Sequence, residues 1–123
     1  GYGAELAKHI RKVEPLRMLD SFLVAGLIEA RSHERMALLA EHSPDPELRY
    51  LYADLLASEA RHFGLYWTLA ESRWPRDVVK KRLDCLAEME TTALTGTIQS
   101  ASDVRMHSAG VVTAQKVVDL KFS

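Results

Sequence analysis

Apolar positions along this chain recur at helical spacing and never settle into strand-like alternation. Residues 4–13 fit a short helix, and Glu14-Pro15 restarts the chain. Residues 16–41 fit a long helix. Its first half, with Leu19, Phe22, Leu23, Val24, Leu27 and Ile28, is apolar nearly all round, as in a helix buried on several sides. Its second half turns abruptly charged at residues 29–35. The proline-rich connection at 42–46 is short, with Asp45 placed to cap the next helix and Pro46 at its first position. A third helix is expected from Pro46 to about Ser72, closed by Trp74-Pro75. A fourth follows over 75–94, with Val79, Leu83, Leu86, Ala93 and Leu94 as its apolar stripe. Residues 96–102 read as a loop and 111–123 as a β-prone or frayed tail. The expected fold class is therefore all-α, an antiparallel helical bundle, because short links make sequential helices neighbours.

The length of 123 residues fits one domain, taken as 1–110, followed by a tail of unassigned role at 111–123. Hydrophobic content of 47% argues for a folded chain. A formal net charge of −1 excludes a chain-wide basic field for nucleic acid, so any RNA contact must be local. The longest apolar run, 22–28, is too short to span a bilayer, and no membrane partner is expected. Cys85 is the sole cysteine, which leaves no disulfide framework and no thiolate metal site. No secretory signal is visible, and a cytoplasmic location is the expectation.

Chemistry enters in the third helix. At about 100° per residue from Leu48, the residues Leu55, Leu56, Glu59, His62, Phe63, Tyr66 and Leu69 share one broad stripe, with Glu59 near its middle. A carboxylate and an imidazole on an apolar stripe need partners. They can pair with each other or with an arginine, or Glu59-x-x-His62 can bind metal, as such pairs do on bundle helices. Counting outward from the turn at Pro44 sets Glu29 level with Glu59, and Glu34 level with Asp54. Glu29 is thus the preferred further ligand and Glu34 the second choice. Oxygen and nitrogen donors of this kind suit iron or manganese. A two-metal bundle site takes two single carboxylates and two Glu-x-x-His pairs, so this chain supplies half a set. Glu90, in the middle of the fourth helix's stripe, either supports the ligands from behind or pairs with an arginine. Lys8, Arg11 and Lys12, with Lys80, Lys81 and Arg82, form two basic clusters that are either solvated faces or RNA phosphate contacts.

The stretch Ile28-Glu29-Ala30-Arg31-Ser32-His33-Glu34-Arg35, followed by Leu56-Ala57-Ser58-Glu59-Ala60-Arg61-His62-Phe63, resembles the tRNA hydroxylases acting on 2-methylthio-isopentenyladenosine, the MiaE family. The resemblance runs from about residue 2 to 110, includes Ala87-Glu88-Met89-Glu90, and covers only the C-terminal half of that family. His33 stands where the family usually has cysteine. The resemblance implies a ferritin-like bundle with a non-haem di-iron centre. It implies dioxygen as co-substrate and hydroxylation of the isopentenyl group of a modified adenosine beside the tRNA anticodon. Glu59 would bridge the metals, His62 bind one, and Glu29 bind terminally, with no catalytic residue beyond the ligands. Arg31, Arg35 and Arg61 would hold the ligand carboxylates in place or form ordinary ion pairs between helices.

The missing half suggests completion by a homodimer or by a separate N-terminal half, since a lone hairpin exposes its apolar faces. Two further readings compete with the tRNA hydroxylase. One is a ferritin-like metal-binding or oxidase bundle without an RNA substrate. The other is a non-catalytic helical self-association remnant.

Overall fold

The computed structural model of the chain describes residues 1–59, 64–100 and 113–122, with the side chains of 93–100, 113 and 114 outside that description. These residues are helical throughout their regular structure: α1 (Tyr2–Ala7), α2 (Leu16–His42), α3 (Pro46–Glu59), α4 (Leu65–Arg73), α5 (Arg76–Ser100) and α6 (Thr113–Phe122). The all-α expectation holds.

The α2–α3 turn forms as its residues dictate. The backbone N–H of Glu47 donates to Asp45 Oδ1 at 2.9 Å, which satisfies one of the free donors at the start of α3. Arg49 Nη1 donates to the Ser43 carbonyl at 2.8 Å and fastens α3 back onto the turn.

Three expectations need correcting. The third helix is not continuous to Ser72. Gly64 adopts φ 95°, a left-handed conformation that suits glycine, and starts α4 separately from α3. The expected loop at 96–102 is helix as far as Ser100: Gly96 weakens a helix by about 1 kcal/mol without stopping it, and no proline follows within α5. The tail is neither β-prone nor frayed over 113–122: α6 buries Val118 and packs Val117 and Phe122 against the core. His62, Arg61, Phe63 and the side chains of Ala93 and Leu94 lie outside the described residues, as do 101–102, 111–112 and 123.

The core sits at one end of the molecule. Leu19, Leu23 and Leu27 come from one face of α2, and Trp67 and Ala70 from α4. Val79, Leu83, Leu86 and Ala87 come from α5, and Leu6 from α1. Gly26 is required here, because a Cβ would stand 2.5 Å from the Trp67 ring that lies flat on α2. Phe22 meets Trp74 edge to face, with centroids 6.4 Å apart.

α3 differs in kind. It buries no residue, and its one substantial neighbour among the described residues is α2. The stripe read as facing a core is therefore half open: Leu48 and Leu55 are 40% and 38% exposed.

Candidate functional site

Where α2 and α3 run side by side, Glu29, Ser32, His33 and Met36 from α2 and Glu59 from α3 line one cleft. The centre of a water-sized sphere has about 10 Å³ of room in it, enough for roughly one water or ion. The level count from the turn is reproduced: Glu29 and Glu59 share the cleft. Glu34 does not line it. Its carboxylate pairs with Lys116 of α6 at 3.2 Å. That contact was illegible in the sequence because α6 itself was unrecognised.

Glu29 and Glu59 are half-buried, and among the described residues neither has a hydrogen bond or ion pair. Two such carboxylates facing one small space are suited to a cation bound between them. His33 belongs to the same cleft and was not singled out as a ligand. Its signal is its position four residues after Glu29, on the same helix face. Among the described residues, no three of His, Cys, Asp and Glu come close enough to hold a metal ion. The cleft thus offers part of a donor set, of the oxygen-and-imidazole kind that fits iron or manganese.

The proposed supporting residues are distributed differently. The Arg31 guanidinium lies over the Tyr2 ring at 5.0 Å, on the side of α2 away from the cleft. It does not hold Glu29 or Glu59, because two residues along a helix turn a side chain by about 200°. Arg35 is exposed. Glu90 is buried at 3% exposure, and the Tyr2 hydroxyl donates to its Oε2. Arg31, Tyr2 and Glu90 therefore tie α2, α1 and α5 together behind the cleft.

The two basic clusters also need correcting. Arg11 and Arg82 face inward onto Asp20, which is fully buried in the apolar half of α2. Arg11 Nη2 donates to Asp20 Oδ1 at 2.8 Å, and its backbone N–H donates to Oδ2 at 2.8 Å. Arg82 donates from Nε and Nη2 to the two carboxylate oxygens at 2.9 Å each, and again to the His9 carbonyl at 3.0 Å. Burial alone pushes the Asp20 carboxyl up. The hydrogen bonds from Arg11 and Arg82 outweigh it and hold the carboxyl below its ordinary range. These two arginines are structural and are not free for phosphate. Lys8 pairs with Glu5 at 3.0 Å and Lys80 with Asp84 at 2.9 Å, both on the surface. Lys12 and Lys81 are exposed and have no ion pair among the described residues. Because Arg11 and Arg82 meet at one carboxylate, their neighbours Lys12 and Lys81 are drawn to the same end of the molecule.

No described helix is long and apolar enough to cross a membrane.

Comparison with known proteins bears on the whole arrangement. The family model for tRNA-(MS[2]IO[6]A)-hydroxylase (MiaE) matches residues 1–108. The tRNA 2-(methylsulfanyl)-N(6)-isopentenyladenosine(37) hydroxylase of Pseudomonas putida is 37% identical over 110 residues, 87% of this chain and 50% of its own length. The protein of the same description from Salmonella typhimurium is 35% identical over 107 residues, 87% of this chain and 38% of its own. A solved structure, "Protein 43 with aldehyde deformylating oxygenase activity from Synechococcus", is 66% identical with a TM-score of 0.72, covering 89% of this chain and 52% of that one. The chain thus spans about half the length, or less, of the relatives it matches, and α6 lies beyond the matched family region. The fold is ferritin-like, and the chain belongs to the MiaE family of tRNA hydroxylases.

Proposed function

We propose that this chain carries half of a di-iron centre for dioxygen-dependent hydroxylation of the isopentenyl group of a modified adenosine in tRNA, in the cytosol. The observation that carries this reading is that Glu29 and Glu59, which have no hydrogen bond or ion pair among the described residues, line one cleft of a chain in this family. Glu29, Glu59 and His62 would hold the metal. Iron bound there would supply the reduction of dioxygen and the oxidation of an allylic C–H bond. The protein's own part is to place two carboxylates at one height on adjacent helices and keep that space small. Lys12 and Lys81, with the more weakly engaged Lys8 and Lys80, would meet phosphates of the RNA. The remaining donors would come from a second copy or from a separate N-terminal half.

The test is mass spectrometry of nucleosides from tRNA carrying 2-methylthio-isopentenyladenosine, after incubation with iron-loaded protein, a reductant and dioxygen. Gain of one oxygen atom, lost in Glu59→Gln, is the expected result. An unchanged nucleoside in the presence of bound iron would reject the substrate assignment. The 66% identity to a chain described by aldehyde deformylating oxygenase activity favours a second reading, an oxygenase acting on an aldehyde. Consumption of an aldehyde with no change in tRNA would decide for it.

A further inference from the structure

Glu29 and His33 stand one turn apart on α2, and both line the cleft that Glu59 enters from α3. At about 100° per residue their side chains leave the helix about 40° apart, so they share one face. Donors at this four-residue spacing are a recurrent way for one helix to grip one cation, because a single turn brings both within its reach. From the neighbouring helix, Glu59 supplies a carboxylate to the same space, which has room for roughly one ion.

We infer that His33 is a metal ligand of this cleft, binding with Glu29 and Glu59, adding an imidazole to that of His62, and tilting the cleft from manganese toward iron. This rests on the reading of Glu29 and Glu59 as metal ligands. Charge favours an imidazole at this position. Two carboxylates already balance one divalent cation, and a third would leave net negative charge in a half-buried space. A neutral imidazole adds a bond without adding charge. His33 is half-buried, as Glu29 and Glu59 are, so the donors meet away from bulk water. Among the described residues no three such donors already converge. The cation must therefore draw them together, and each donor is carried on a rotatable side chain that can turn toward it. The kind of donor then selects the metal. Carboxylate and water suffice for manganese, whereas imidazole favours iron and the later divalent metals. His33 therefore strengthens the hold on cobalt(II), which stands beside iron in that order, more than the hold on manganese(II).

The test is a titration of the whole 123-residue chain with cobalt(II), read by its visible absorption, and with manganese(II), read by its paramagnetic resonance. Both metals should bind, cobalt the more tightly. His33→Ala should lose about tenfold or more in cobalt affinity, with altered cobalt bands, and about threefold or less in manganese affinity. Its helical circular dichroism should be retained, since His33 is outside the core. His33→Gln, which keeps a polar side chain of similar reach, carries the same expectation should His33→Ala fold poorly. Unchanged cobalt affinity and bands in a folded His33 variant, with binding lost in Glu59→Gln, would overturn the inference and leave the metal reading standing. Equal losses for the two metals would also overturn it, since His33 would then act only by shaping the helix. No binding of either metal by the unaltered chain would overturn both readings.

Discussion

The two ends of α2 teach different things. Its first half is surrounded: Leu19, Leu23 and Leu27 pack against α1, α4 and α5, and the one acid there, Asp20, is matched by two arginines. Its second half lies along α3, reaches α6 through Glu34 and Lys116, and meets α1 through Arg31 over the Tyr2 ring. There Leu38 and Leu39 are exposed, and among the described residues neither Glu29 nor Glu59 of the adjacent α3 has a hydrogen bond or ion pair. The residue types are alike in both halves. The difference is how many elements close around them. A complete region satisfies its charges internally, and an open one keeps them for something else.

The largest break in this contrast should come from Asp20. Asp20→Ala leaves two arginines turned inward without their anion, a loss on the order of 3–5 kcal/mol in denaturant unfolding. The same carboxylate sets an acid limit. Its folded value lies below its unfolded one, so its contribution is fully present above about pH 4 and is lost as pH falls through the folded value. Stability against pH should therefore fall less steeply below pH 4 in Asp20→Asn than in the unaltered protein, as unfolding at several pH values would show. Next in size, Leu23→Ala should cost about 2–5 kcal/mol, whereas Leu55→Ala in the chelated protein should cost under about 1 kcal/mol. Equal losses would mean that α3 is as well covered as the core. Smaller again, Gly26→Ala should cost about 1–3 kcal/mol, since the Trp67 ring must move to admit a methyl group.

What the sequence disclosed follows the same division. The helix α2, its turn at Asp45 and the α5 stripe of Val79, Leu83 and Leu86 were legible, because periodicity and capping are local. The pairing of Glu29 with Glu59 was legible too, because a short turn fixes the level of two helices. Arg11 and Arg82 were misread as surface charge. Their partner Asp20 lies 62 residues from Arg82, and no local pattern announces a contact across the bundle. The one available signal was an acid inside an otherwise apolar half-helix, which can be buried only if cations meet it. The helix α6 was missed because Val117 and Val118 favour strands in isolation, and only packing onto α5 and α2 overrides that preference. The break before α4 was hidden because the apolar stripe runs through it, while Gly64 alone marked the change of direction.

The smallest effect separates the two regions most finely. Asp45→Ala removes the acceptor for the Glu47 amide and should cost about 1 kcal/mol at the start of α3. If α3 is held by α2 alone, that loss should be felt locally. Amides of α3 should exchange with solvent about fivefold faster, and amides at 19–27 and 79–87 should be unaffected, because exposed elements open without global unfolding. Hydrogen exchange read segment by segment gives the answer. A uniform acceleration across all three segments would show that α3 and the core unfold together, and the open end would then be an integral part of one cooperative unit. Acceleration confined to α3, reversed when manganese is added, would tie the loose helix to the cation that its Glu59 faces.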